Sequence, residues 1–162
     1  MLSTKNDRTW FQIGLKGSEN KMYFPLHCHT HFSLLDGLSK PEQIAQRVKS
    51  LGLQGAAITD HGNISGSVSF VRAMKRNGVK PILGCELYIC KEDASIKNKE
   101  NSKLNHLVVL AKNLKGWKQL IKITSESNKP ELFYRKPRLS LEQLSEFCDG
   151  NLISFSGHLG SD

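Results

Sequence analysis

Two histidines one residue apart, His27 and His29, are the first residues in this 162-residue chain whose spacing suggests chemistry. Side chains of an extended strand alternate with period two, so both imidazoles leave the same face and can meet a single cation. His-x-His alone is weak, because strands carry such pairs without binding anything. The case grows at the ends of the later apolar runs. Thr59-Asp60-His61-Gly62 closes the second run, Gly84-Cys85-Glu86 lies in the third, His106 opens the fourth, and Ser156-Gly157-His158 follows the fifth, while Asp36 stands in the loop after His29. Five of the six histidines thus fall in or beside expected strands, together with three carboxylates, where random placement would scatter them over helices and loops as well.

Imidazole and carboxylate without clustered thiolates suit zinc, manganese or iron rather than a structural cysteine site. Two or three such divalent ions a few ångströms apart lower the pKa of a shared water and grip phosphate oxygens, which is what phosphoester hydrolysis requires. Blander roles exist for each residue. Glu86 can be a solvated strand-end carboxylate, Asp60 a helix cap and His106 a hydrogen-bonded core histidine. His31 continues the alternation with no defined role, and the cysteines read as packing residues.

The elements that must position these groups alternate from Tyr23 onward. Short apolar runs of strand type are each followed by a helical period, the pattern of βαβ units around a parallel sheet, and such folds place their sites at the carboxyl edge. Strands are expected at Tyr23 to His29, Gly55 to Thr59, Pro81 to Ile89, His106 to Leu110 and Asn151 to Phe155. Ser39-Lys-Pro-Glu42 and Ser140-Leu-Glu-Gln143 have capping-box spacing at helix starts, and Gly52 and Gly78 mark helix ends. A helix through Val68, Val71 and Met74 follows the second strand, another runs through Trp117, Leu120 and Ile121, and residues 91–103 are expected to make a solvated, mobile loop. Residues 1–22 are a polar extension in which Trp10, Phe11, Ile13 and Leu15 are expected to form a short strand or to pack as an N-terminal flap.

Composition bounds the rest. A hydrophobic share of 38% supports one domain with a real core. Four cysteines without a CxxC pair, and no secretory h-region, point to a reducing, cytoplasmic setting. No run approaches the roughly 18 apolar residues of a membrane span, so no membrane partner is expected. The net charge of +8 is uneven: residues 91–138 hold 12 Lys+Arg against 5 Asp+Glu, which favours a polyanionic partner such as DNA or, more blandly, solubilises helix faces.

Several motifs together resemble one family. His27-Cys-His29-Thr-His-Phe-Ser33-Leu-Leu-Asp36-Gly37, Ala57-Ile-Thr-Asp-His-Gly-Asn63 and Lys80-Pro-Ile-Leu-Gly-Cys-Glu86 are similar to the first three motifs of the PHP (polymerase and histidinol phosphatase) family, in the form that begins bacterial DNA polymerase III alpha subunits. The likeness continues through His106 to Asn113, Phe133-Tyr-Arg-Lys-Pro-Arg138 and Leu152 to Gly157. It implies an α/β fold, a distorted (βα)7 barrel, here incomplete with about five βα units over residues 23–162. It also implies a centre of two or three divalent ions held by His27, His29, Asp36, His61, Glu86, His106 and His158. At the last position polymerase members often carry cysteine and stand-alone phosphatases histidine, so His158 argues for an intact site. The family closes its site with a late Asp-x-His pair, and the chain stops at Asp162 before one, as a cut chain, a split polymerase gene or a short protein that docks on a partner would.

Three functions compete. In the leading one, the chain is the PHP portion of a replicative polymerase, with metal-dependent phosphoesterase or 3′–5′ exonuclease (proofreading) activity on DNA, Asp60 and His61 acting in catalysis, and the basic segment tracking the strand. Its partners are DNA, the remainder of the polymerase or a complementing C-terminal fragment, and other replisome subunits. Polymerisation itself needs a palm-type domain that this sequence lacks. A free-standing phosphatase on a small phosphomonoester and a non-catalytic scaffold are the alternatives.

Overall fold

Strand β2, Lys80–Cys90, is the spine to which the other strands attach. The computed structural model describes residues 23–157; the expected extension 1–22 and His158 lie outside these. Along one edge of β2, β1 (Gly55–Ile58) pairs in parallel with Lys80 to Leu83, and the two-residue β4 (Leu139–Ser140) pairs in parallel with Ile89 and Cys90. Along the other edge β3 (Leu104–Ala111) runs antiparallel, and β5 (Leu152–Ser156) pairs antiparallel with β3.

The α/β class is as expected, but the sheet is mixed rather than parallel. Between β2 and β3 the chain forms only a 3-10 turn, Glu100–Ser102, with no crossover helix, and strands joined that way lie antiparallel. The connecting loop is also better organised than its polar composition suggests. Asn101 is buried within it, accepting from Glu92 N and donating to the carbonyls of Asp93 and Ile96. That one side chain satisfies three main-chain groups of the loop.

The expected first strand is absent. Residues 23–29 have no regular secondary structure: Pro25 has no N–H and Cys28 N donates to the Thr59 hydroxyl (2.8 Å), so no ladder forms. Helix α1, Pro41–Ser50, is capped from Lys40, not Ser39: Lys40 N donates to Gln43 Oε1, while the Ser39 carbonyl accepts from His31 N. Helix α4, Leu141–Ser145, has the expected reciprocal box, with Gln143 N donating to Ser140 Oγ and Ser140 N to Gln143 Oε1.

Alternation along β2 separates core from site. Cys85, Leu87 and Ile89 point into a cluster with Leu120 and Ile123 of helix α3 (Leu114–Ser127). Glu86 and Tyr88, being one residue out of phase, leave the opposite face. There they sit across from Val108 and His106 of β3. A second cluster packs α1 and helix α2 (Ser67–Arg76) on β1 through Ala45, Val48, Phe70, Met74, Ala56 and Ile58. Complete burial of Phe70 and Met74 contributes about 2–3 kcal/mol each. That packing fixes the carboxyl end of β1 against β2, where the chemistry-bearing residues lie.

Candidate metal centre

The segment before α1 is moored to β1. Ala57 N donates to Pro25 O (2.8 Å) and Thr59 N to Cys28 O (2.9 Å). With the Cys28 main chain held to Thr59, the flanking His27 and His29 emerge together, their ring centroids 4.9 Å apart. The period-two reasoning therefore holds although no strand is formed. Beyond β1 the chain keeps company with β2: Glu86 N donates to Asp60 O (3.1 Å) and Gly62 N to Glu86 O (2.8 Å). This bridge sets His61 beside Glu86. Gly62 then turns with φ +60°, where a Cβ would stand 2.6 Å from Pro137 Cγ, so glycine is needed for both backbone and space.

Four imidazoles meet the carboxylate of Glu86, which is 1% exposed. Its Oε2 lies 2.6 Å from His27 Nε2, 2.9 Å from His29 Nε2 and 3.5 Å from His61 Nδ1, and its Oε1 lies 2.5 Å from His106 Nδ1. The other ring nitrogen of His61 is 2.7 Å from Asp36 Oδ2, at the exposed rim. Burial pushes the Glu86 carboxyl up, but hydrogen bonds from His29 and His27 and the charge of His61 outweigh it and hold the pKa at about 2. Burial works to lower His29; the hydrogen bond and charge of Glu86, backed by Asp36 and Asp60, raise it.

These donors fit a cation. His61 Nδ1 is buried with no hydrogen-bond partner among the described residues, and its 3.5 Å separation from Glu86 Oε2 is too long for a good hydrogen bond. Two ligands at about 2.1 Å from one tetrahedral ion stand about 3.4 Å apart, which matches. Three overlapping triads bring their ligand atoms within 4.8 Å of one another: His27, His29 and Glu86; His29, Asp36 and His61; His61, Glu86 and His106. Six of the seven expected ligands therefore lie together, and His158 is outside the described residues.

Asp60 is placed differently from the rim residues. Its buried carboxylate accepts from Thr30 N (2.6 Å), Thr30 Oγ1 (2.8 Å) and Ser33 Oγ (3.0 Å) and belongs to none of the triads. It organises the loop that carries His29 and Asp36, and those bonds occupy both its oxygens. Its expected part in catalysis is therefore best carried forward as the orienting of neighbouring residues, a role these contacts suit. His31 is exposed and lies against the Phe32 ring in a tilted arrangement, outside the cluster. Burial pushes the Cys85 thiol far up, in keeping with a packing residue.

The cluster floors an open groove of about 810 Å³ whose walls include Tyr88, Arg135 and Lys136. Sequence reasoning missed Tyr88, although its place two residues after Glu86 was the available signal. The basic segment also divides. Arg138 is fully buried and donates to the carbonyls of Leu132, Ala94, Ile96 and Asn101, whereas Arg135 and Lys136 reach the groove.

Residues 25–162 match the PHP domain family. Curated relatives include the DNA polymerase III subunit alpha of Helicobacter pylori, 41% identical over 136 residues covering 84% of this chain and 11% of that protein. Another is the DNA polymerase III subunit alpha of Borreliella burgdorferi, 39% identical over 140 residues covering 85% of this chain and 12% of that protein. The chain thus spans about a tenth of the length of these relatives. Among solved structures, an amidohydrolase from Chromobacterium violaceum with bound sulfate and no metal aligns at TM-score 0.46 and 17% identity, covering 76% of this chain and 48% of that one.

Proposed function

The chain belongs to the PHP domain family, and from that premise we propose that residues 23–162 form the metal-dependent phosphoesterase portion of a replicative DNA polymerase III alpha subunit. The proposed substrate is the 3′ end of a DNA strand, and the proposed setting is the cytoplasmic replisome. Four imidazoles converging on the buried Glu86 are the observation that carries this reading.

A neutral imidazole offers one lone pair, so His61 serves one triad at a time, whereas the two oxygens of Glu86 serve two. The donor set accordingly favours two divalent ions, one toward His27 and His29 and one toward His61 and His106, with Glu86 shared. His158 is proposed as a further ligand. Bound there, divalent cations activate water and neutralise charge developing on the phosphoryl oxygens. The protein's own part is to orient. Asp60 and Ser33 hold the loop of His29, Asp36 fixes the ring of His61 from the solvent side, and Tyr88 walls the groove beside His61 and His106 at centroid distances of 5.7 and 5.1 Å. Among the described residues no helix is long and apolar enough to cross a membrane.

The test is digestion of a 3′-recessed DNA duplex and of a small phosphomonoester by the chain loaded with manganese or zinc, alongside His61→Ala. Release of nucleotides from DNA that His61→Ala abolishes supports the proposal. Turnover of the monoester alone points to a metabolite phosphatase, and bound metal without any turnover points to a scaffold.

A further inference from the structure

We infer that the Arg135-Lys136 turn is a second phosphate subsite, which reads a phosphodiester next to the one held at the proposed ions. The substrate is then a nucleic-acid strand rather than the phosphomonoester of a small alcohol. The inference rests on the proposed function for the position of the first phosphate.

Arg135 has φ +61°, one of two non-glycine residues among those described in the left-handed region. Such a conformation persists only where the surroundings impose it, and functional loops are where it collects. Here the restraint is visible on both sides. Tyr134 N donates to Lys136 O across the turn (3.2 Å), Pro137 packs on Gly62, and Arg138 is bolted to four main-chain carbonyls. The turn is therefore a built feature and not a loose basic tail.

Both cations meet aromatic faces. Lys136 Nζ stands 4.3 Å from the Tyr88 ring centroid, and Arg135 lies 5.4 Å from that of Tyr134. Neither makes an ion pair with a carboxylate among the described residues. Tyr88 is in turn edge-on to His106 at 5.1 Å, so the ammonium is one aromatic ring away from the ligand cluster. A phosphate held by the ions is neutralised there; cations set one ring further out, without a carboxylate of their own, suit the next charge along a polyanion. Arg138, though part of the same basic run, is excluded by its burial.

The experiment uses the whole chain with manganese and a fluorescent thymidine hexanucleotide as probe, titrated from low to high salt. Lys136→Gln and Arg135→Gly should each weaken hexanucleotide binding several-fold and lower the salt slope by about 0.7, the value per phosphate for a single strand. Arg135→Gly suits the positive φ, so a folding defect does not confuse the result. Bound manganese and competition by inorganic phosphate should stay unchanged, and Lys118→Gln, on the exposed side of α3, should leave the slope alone. An unchanged slope in both turn variants with manganese still bound overturns the subsite only. Failure of the parent chain to bind manganese overturns the proposed function, while a slope that still falls in the turn variants retains the subsite.

Discussion

Ser33 Oγ stands 3.3 Å from His29 Nδ1, on the side of the ring away from the nitrogen that reaches Glu86. The same oxygen donates to Asp60 Oδ1 and accepts from His61 N, each at 3.0 Å. Its remaining lone pair is left to accept an Nδ1–H from His29, which would free Nε2 to bind a cation. Replacing Ser33 by Ala is expected to weaken divalent-ion binding about 10–100-fold, with Ser33→Thr recovering part of it. Calorimetric titration with zinc checks this, and an affinity within twofold of the parent would show that the ring is fixed by other means.

Asp60→Asn should destabilise the fold by about 2 kcal/mol, because hydrogen bonds to a charged acceptor are stronger than neutral ones and one carboxylate oxygen becomes a donor facing donors. Urea denaturation measures it. The loss should be concentrated around Thr30 and Ser33, read as faster amide exchange there.

Glu86→Gln removes the negative charge on which four imidazoles converge and turns one of its two oxygens into an NH2. After extensive dialysis the variant should retain less than half the parent's metal, by elemental analysis. Retention equal to the parent would mean that the carboxylate is dispensable and the histidines hold ions without it.

Arg138→Met keeps the bulk of the side chain but orphans buried carbonyls of the 91–103 loop, at about 1–3 kcal/mol for each one left unsatisfied. A total loss of at least about 3 kcal/mol is expected, with an intact far-UV spectrum below the lowered melting temperature. A variant as stable as the parent would show that the loop can re-pair its carbonyls.

Thiol labelling should separate the cysteines. Cys85 is buried and Cys148 exposed. Burial raises both thiols, with a larger upward shift at Cys85, so less thiolate is present at pH 8. Iodoacetamide should modify Cys148 slowly in the native chain and Cys85 only after unfolding. Rapid native labelling of Cys85 would contradict the packing described for β2.

That His27, His29, His61, Glu86 and His106 lie together was legible in the sequence because it depends on local rules. Alternation brought His27 and His29 to one side even where no ladder formed, and the ends of successive runs brought His61, Glu86 and His106 into reach. Strand direction was not legible in the same way. Periodicity says which face a residue takes but not which neighbour the strand selects, and β3 turned out antiparallel because the 91–103 loop lacks a crossover helix. The run Val68, Val71 and Met74 signalled helix α2 but not its whole inward face: Phe70, Ala73 and Met74 are buried while Val68 is largely exposed. Asp60 and Arg138 were harder still, since an ionisable side chain gives no sign in sequence of whether it faces a ligand or its own main chain.

Because β2 carries Glu86 and also anchors β1, β3 and β4, occupancy at that carboxylate is tied to the integrity of the whole sheet by mass action. An ion that prefers the folded chain adds RT ln(1 + [L]/Kd), about 2.7 kcal/mol at a hundredfold excess over Kd. Chelators should therefore act on this protein as mild denaturants, and its thermal midpoint should serve as a gauge of free metal in solution.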